Sequence, residues 1–295
     1  MVRRKQKRTL PMPFKNTLAL TAATLAFGTA ALADDHAGIM GYALAEGGST
    51  LVTMADIAMP GTVETHALEK PLRAIAYRPV TGQLLGYADG MIYEVDPATG
   101  TLTDLGARFM DDAMIGEGAV AFDFNNQIDA VRAVGADGSN LVYFPDGFGD
   151  ADERANSVRR FTDAYYADGD MSAGSEPLIF ANAYTNAVSG AKASSTAQYA
   201  LDANADALVT LANNDGTLAS VGPLTVDGAP IDVSYWGGFD IVSPEEGSDM
   251  AYAILQIEGE KTAGLYSIDL TSGAVSELAD LGMGGFSGFA LSRGM

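Results

Sequence analysis

The chain contains no cysteine and only two histidines among its 295 residues. Without cysteine there can be no disulfide scaffold, thiol nucleophile, iron–sulfur cluster or thiolate zinc site. Two histidines are too few for a histidine-rich metal centre. Basic residues are also scarce, since 17 Lys and Arg stand against 38 Asp and Glu, for a formal charge of −21. Because such a chain repels phosphate backbones, we expect no nucleic-acid partner and an acidic, solvated surface.

The N-terminus has the pattern of a secretory signal peptide. Six basic residues precede an uncharged apolar run over residues 17–31, and Ala31-Leu32-Ala33 forms a small-x-small cleavage site. The run is too short for a stable membrane span, and no cysteine follows it for a lipid anchor. We therefore predict a signal peptide over residues 1–33, with Met1 or Met12 as the start. The mature protein is expected to be periplasmic or extracellular, with no stable membrane span. Cleavage removes six basic residues and no acidic one, so the formal charge falls from −21 to −27.

A sustained helical period is also absent from residues 34–295, which argues against an α/β fold. The chain instead repeats a strand–turn–strand pattern, clearest over residues 91–106 and 265–278, where alternating apolar residues flank a turn of Asp, Thr and Gly. Short strands that open each unit align at five places: residues 74–77, 121–124, 182–185, 238–241 and 288–291. Their spacing suits four-stranded propeller blades with loop insertions.

These repeats predict an all-β fold, a single β-propeller over residues 34–295 with five blades, or six as the alternative. The last opening strand, residues 288–291, has no unit after it, and the first hairpins, from residue 39, have no opening strand before them. We expect the two ends to pair and close the ring, because closure removes free sheet edges.

An ordered series of motifs carries a family resemblance over nearly all of residues 38–291. They include Ala121-Phe-Asp-Phe-Asn125, Asp129-Ala-Val-Arg132, Ala164-Tyr-Tyr-Ala-Asp-Gly-Asp170, Ala183-Tyr-Thr-Asn186 and Asn214-Asp-Gly-Thr-Leu218. Together they resemble a bacterial exported family known as domain of unknown function 4394, which is propeller-like. The resemblance assigns no chemistry.

Through these motifs, the resemblance points to Asn125, Asp129, Arg132 and Tyr184 as candidate ligand-binding residues. This chain departs from the family at two places, since it has Ala130 and Val142 where the family usually has arginines. Of the three arginines that the family usually has in this region, only Arg132 is retained. We therefore do not expect an anion site built on the missing arginines.

The strongest internal signal is the pair Asp123 and Asp240, which occupy equivalent positions on two opening strands. Strand alternation places both carboxylates on the face opposite their apolar neighbours, near the axis. Two converging acids can serve as the acid/base pair of a glycoside hydrolase. The competing interpretation is structural, with each carboxylate accepting hydrogen bonds from backbone N–H groups. An aromatic pair, Tyr235 and Trp236, precedes one opening strand and can stack a sugar or a peptide at a propeller mouth.

Two weaker hypotheses concern metals. The acidic segment 144–177 can offer oxygen ligands to Ca²⁺, although its spacing matches no EF-hand. A mature N-terminus that begins Asp34-Asp35-His36 can bind Cu²⁺ or Ni²⁺ through nitrogen atoms. Otherwise we expect no cofactor and no metal site.

The leading functional hypothesis is an exported, non-catalytic, monomeric propeller that binds a small molecule, a glycan or a protein at its axial face. No catalytic motif is intact, so no catalytic residue is assigned. The alternative hypothesis is a carbohydrate-active hydrolase or lyase that uses Asp123 and Asp240.

Overall fold

The computed structural model of the protein describes residues 36–295, which form 24 β-strands in five sheets. The predicted signal peptide, residues 1–33, lies outside the described residues. Two 3₁₀ turns, Glu46–Gly48 and Asn213–Asp215, interrupt the strands. Within residues 36–295, no helix is long and apolar enough to cross a membrane.

The five sheets are the blades of a β-propeller, numbered here in chain order. Blade 1 contains β1 (Met40–Ala45), β2 (Thr50–Met54) and β3 (Val63–Ala67), and blade 2 contains β4 (Ala74–Arg78), β5 (Gln83–Ala88), β6 (Met91–Val95) and β7 (Leu102–Asp104). Blade 3 contains β8 (Arg108–Phe109), β9 (Val120–Asn125), β10 (Ala130–Gly135), β11 (Asn140–Phe144) and β12 (Ser157–Arg160). Blade 4 contains β13 (Tyr165–Tyr166), β14 (Ile179–Tyr184), β15 (Gln198–Asp202), β16 (Ala207–Ala212) and β17 (Thr217–Pro223). Blade 5 contains β18 (Thr225–Val226), β19 (Ala229–Pro230), β20 (Val233–Val242), β21 (Met250–Ile257), β22 (Gly264–Ile268) and β23 (Ala274–Asp280), and the last strand, β24 (Gly288–Ser292), joins blade 1.

The innermost strands of the five blades are β24, β4, β9, β14 and β20, and they contact one another in a ring around the axis. Each overlaps one of the five opening strands predicted from the sequence, so the five-bladed count is confirmed and the six-bladed alternative is wrong. The predicted hairpins over 91–106 and 265–278 are the outer strand pairs β6–β7 and β22–β23.

The inner strands are buried on both faces because a neighbouring blade packs on each face. In β9, Phe122 and Phe124 pack with Leu85 of blade 2, whereas Ala121 packs with Ile179 of blade 4. The hydrophobic core therefore lies between blades, in layers that radiate from the axis.

Pairing of the chain ends closes the ring, as the sequence predicts. Strand β24 pairs antiparallel with β1, in the register that places Leu291 opposite Gly41 and Phe289 opposite Ala43. On its other side, β24 approaches β20 so closely that a Cβ on Gly238 would lie 2.3 Å from the backbone nitrogen of Phe289. Glycine at position 238 is what allows this contact between the last blade and the first.

Three linkers add strands that the sequence analysis did not predict. Before crossing to the axis, the chain runs along the outer edge of the next blade, where β8, β13 and β18 pair in parallel with β12, β17 and β23. Because these strands are only two residues long, they carry no periodic signal. They cover the outer edges of blades 3, 4 and 5.

The axis has two openings, and different ends of the inner strands line them. Residues just before or at the start of the inner strands, including Arg73, Ala119 and Ser287, line one opening, the start mouth. Residues at or near the ends of the inner strands, including Asp240 and Leu291, line the other, the end mouth.

Candidate functional site

The predicted carboxylate pair lies at the end mouth, where both side chains are 5% exposed. Asp123 Oδ2 accepts a hydrogen bond from the N–H of Tyr184 at 2.8 Å. Asp240 Oδ2 accepts from the N–H of Leu291 at 2.5 Å, and its Oδ1 accepts from the N–H of Ile241 at 2.7 Å. Each carboxylate therefore links its own inner strand to the inner strand of the next blade. These bonds match the structural interpretation that the sequence analysis set beside the catalytic one.

Burial shifts the protonation of both carboxyls. Burial raises the pKa of Asp123 well above its usual value, and the nearby charge of Asp240 raises it further. Burial also raises the pKa of Asp240 to about 7, against the opposing effect of its backbone donors. The pair consequently retains protons at a pH where exposed aspartates are ionised.

A loop between β14 and β15, residues 186–197, covers the end mouth. The N–H of Gly190 donates to the Pro79 carbonyl at 2.9 Å, and the N–H of Ala193 donates to the Asn126 carbonyl at 3.1 Å. The N–H of Ser194 donates to Glu246 Oε1 at 2.6 Å. These bonds fasten loop 186–197 to blades 2, 3 and 5. The space left beneath it, beside Asp123 and Asp240, is about 10 Å³, which is the size of a single water site.

Asn125 and Asp129 also lie on the end-mouth side, in and near the turn between β9 and β10. Asn125 Oδ1 accepts from the N–H of Gln127 at 3.0 Å, which stabilises the turn. Asp129 has a positive φ of 59° and forms a two-point ion pair with Arg78, with distances of 2.7 and 2.5 Å. The ion pair joins blade 3 to blade 2.

Arg132 and Tyr184 belong to a buried network between blades 3 and 4. The guanidinium of Arg132 donates to Asn140 Oδ1 and Asn214 Oδ1, both at 2.8 Å, and packs over the ring of Phe161. The Tyr184 hydroxyl lies within hydrogen-bonding distance of Arg132 Nε at 3.4 Å. Burial raises the pKa of Tyr184 to about 12, so the phenol stays protonated.

The six candidates Asp123, Asn125, Asp129, Arg132, Tyr184 and Asp240 are thus bonded within the protein. Ligand binding by any of them stays a prediction.

The seventh candidate, Trp236, lies at the opposite end of the axis. It lines a cleft of about 200 Å³ at the start mouth. Every blade contributes at least one residue to this cleft: Gly47 from blade 1, Arg73 from blade 2, Ala119 from blade 3, Phe180 from blade 4, and Tyr235 and Trp236 from blade 5. The candidates predicted from the sequence therefore lie in two groups at opposite ends of the axis, and the structure does not bring them together.

The aromatic rim of the cleft depends on an irregularity in β20. The pairing of β20 with β21 shifts register between Val233 and Gly237, which releases Tyr235 and Trp236 from the regular ladder. Their rings lie 5.1 Å apart at an angle of 36°. Tyr235 is 44% exposed.

Arg73 shapes the opposite side of the cleft. Its Nη2 donates to the carbonyls of Gly116 and Gly118 at 2.5 and 2.9 Å, and its guanidinium lies 5.7 Å from the Tyr87 ring centroid. These contacts fix the side chain across the gap between blades 2 and 3. The sequence analysis missed Arg73 and Phe180, although both lie beside opening strands it had located.

No group of three or more potential metal ligands occurs within residues 36–295. In the acidic segment, Asp152 pairs with Arg154, and Asp163 pairs with Arg160. His36 Nδ1 lies 2.8 Å from the Tyr252 hydroxyl, while Asp34 and Asp35 are outside the described residues. Binding of Ca²⁺, Cu²⁺ or Ni²⁺ stays a prediction.

Comparison with known proteins identifies the family. Residues 51–290 match the family described as Domain of unknown function (DUF4394), and the chain belongs to it. A search of the curated proteins found no match.

Three of the solved structures that match are proteins from Bacteroides. One is a protein of unknown function from Bacteroides caccae, with 9% identity, a TM-score of 0.41 and coverage of 87% of this chain and 99% of that chain. Two are auxiliary nutrient binding proteins, from Bacteroides ovatus (12% identity, TM-score 0.40, 71% of this chain) and Bacteroides thetaiotaomicron (10%, 0.41, 72%). The match spans 57% and 55% of those two chains. At these TM-scores, the similarities carry no inference about a ligand.

Proposed function

We propose that this protein is an exported, non-catalytic propeller that binds a small molecule with a single sugar-like ring in the start-mouth cleft. The observation that carries the proposal is the cleft itself, which is lined by all five blades and has Tyr235 and Trp236 at its rim. Residues held at the start of a ring of inner strands form a pre-organised surface, as ligand sites generally require.

The size and chemistry of the cleft suit a ligand with a single ring. Its volume of about 200 Å³ is below the roughly 300–1,000 Å³ typical of sites for larger ligands. Trp236 and Tyr235 offer flat apolar faces, on which the C–H face of a sugar ring can stack. Leu72 and Phe180 extend the apolar lining, and Arg73 adds a positive group to a strongly acidic protein.

The alternative, a hydrolase or lyase based on Asp123 and Asp240, has less support. Both carboxyls accept backbone hydrogen bonds, and loop 186–197 leaves about 10 Å³ beside them. A sugar ring does not fit that space. Release of sugar products that is abolished by Asp123→Asn would overturn the non-catalytic proposal.

Trp236 is the sole tryptophan of the chain, so its fluorescence reports on the cleft without interference from another indole. We expect one or more of glucose, galactose, mannose, xylose and arabinose to change this fluorescence saturably. Ala119→Leu places a larger side chain in the cleft and should abolish the change. Tyr235→Ala removes half of the aromatic rim and should weaken binding about three- to tenfold.

The matched control is Ser189→Leu, which adds the same kind of bulk at the end mouth and should leave binding unchanged. If none of the five sugars alters the fluorescence, or if Ala119→Leu binds as the wild type does, the proposed site is wrong.

A further inference from the structure

A narrow channel lies directly beneath the start-mouth cleft and contains an unpaired amide. The channel is about 10 Å³ and is lined by inner-strand residues of all five blades. Asn182, on β14, is 1% exposed, and neither its Oδ1 nor its Nδ2 has a hydrogen-bond partner. Asn140, which is also fully buried, has both amide atoms bonded. Asn182 therefore differs from a structural asparagine of the same protein.

The channel is the floor of the cleft. Phe180 lines both spaces, and Asn182 lies two residues further along the same strand. On the other blades, Ala119 of the cleft is followed by Val120 of the channel, and Ser287 is followed by Gly288. The channel that Asn182 lines therefore continues from the cleft along the axis.

Asn182 is the one polar side chain among the residues that line the channel. The other residues are alanines, glycines, phenylalanines, Ile75 and Val120. A buried amide without partners is unfavourable, and it has two donor hydrogens and an acceptor oxygen to offer. A hydroxyl is small enough for the space and can both donate and accept.

We propose that Asn182 selects the ligand by hydrogen bonding to a hydroxyl that the ring projects into the channel. The inference rests on the proposed function, and it specifies the ligand as an alcohol-bearing ring. A ring that lacks the projecting hydroxyl leaves the amide unpaired and is rejected, because sites that bond a substrate hydroxyl discriminate strongly against analogues without it.

The test compares Asn182→Leu with the wild type, using Trp236 fluorescence and whichever of the five monosaccharides binds most tightly. We expect the leucine variant to bind that sugar at least tenfold more weakly. Among the monodeoxy analogues of the sugar, one should bind the wild type at least tenfold more weakly than the parent sugar does. The same analogue should bind the leucine variant as well as the parent does. Asn182→Ala gives the same comparison if the leucine variant does not fold.

A second measurement separates recognition from a structural role. Without ligand, Asn182→Leu should melt at or above the wild-type temperature, whereas the control Asn140→Leu, which breaks a bonded amide, should melt several degrees lower. Melting of the Asn182 variant as low as the Asn140 variant would overturn the inference. So would equal affinity of Asn182→Leu and wild type for the sugar, and that result would leave the proposed function standing. Failure of every sugar to bind the wild type would overturn both.

Discussion

Buried polar residues of this propeller act in different ways, according to what they face. Asp123 and Asp240 accept N–H groups from the next inner strand and so hold blades together. Asp129 neutralises Arg78 between blades 2 and 3. Asn182 has the same burial and no bond. The bonded groups therefore join blades, whereas the amide of Asn182 makes no such link within the protein.

The raised pKa values of Asp240 and Asp123 predict a pH-dependent stability. In the unfolded chain both acids have ordinary pKa values, so the folded state binds more protons between those values and the raised ones. This pair therefore stabilises the folded state most below about pH 4. Its contribution to the free energy of unfolding is lost as the pH rises through about 7.

Thermal unfolding measures this effect. Between about pH 5.5 and pH 8, the wild-type melting temperature should fall by several degrees, and Asp240→Asn should reduce that fall by at least half. Asp150→Asn, an exposed control, should leave the fall unchanged, since it retains both buried carboxyls. Identical pH profiles for wild type and Asp240→Asn would contradict the assignment.

At the scale of elements, closure depends on one strand supplied by the far end of the chain. Strand β24 gives blade 1 its innermost strand, and its Leu291 N–H also bonds to Asp240 of blade 5. One five-residue strand therefore completes a sheet and joins the first blade to the last. Since the chain has no cysteine, no disulfide holds the described ends together.

Deletion of residues 288–295 should open the ring. The deletion exposes the edge of β1 and removes Phe289 and Leu291 from the core of blades 1 and 5, so we expect loss of cooperative unfolding and aggregation. Deletion of residues 294–295 is the control and should retain the wild-type melting curve within about 2 °C. Circular dichroism with size-exclusion chromatography distinguishes the two. A monomeric 1–287 chain with a wild-type melting transition would show that β24 does not close the fold.

At the scale of the whole molecule, acidity is the dominant electrostatic feature. The chain has 38 acidic and 17 basic residues, and the described part contains four ion pairs within 4 Å. Most carboxylates therefore face solvent or backbone donors instead of cations. Their mutual repulsion destabilises the compact state and is screened by salt.

We expect the melting temperature to rise by several degrees between about 20 mM and 500 mM NaCl, because the Debye length shortens from roughly 20 Å to about 4 Å over this range. CaCl₂ at matched ionic strength separates screening from specific binding. An additional rise with CaCl₂ that a chelator reverses would establish the calcium site considered for residues 144–177. A melting temperature that does not respond to NaCl would contradict the repulsion argument.

The sequence by itself determined the repeat, the five inner strands and the closing pair, because strand alternation and turn residues are local properties of the chain. It also placed Asp123 and Asp240 on equivalent faces, since the side-chain period of a strand is two. It gave no indication that loop 186–197 covers that end, since the loop is held by Pro79, Asn126 and Glu246, which are remote in the chain.

Only the tertiary structure decided which end of the axis is open. The cleft combines residues from five blades, and Arg73 and Asn182 acquire their roles from what surrounds them. Asn182 sits in a strand of alanines, aromatic residues and one isoleucine, and nothing in that local sequence distinguishes a bonded amide from an unpaired one. The difference arises because hydrogen-bond partners come from neighbouring blades, and their positions are set by packing around the ring.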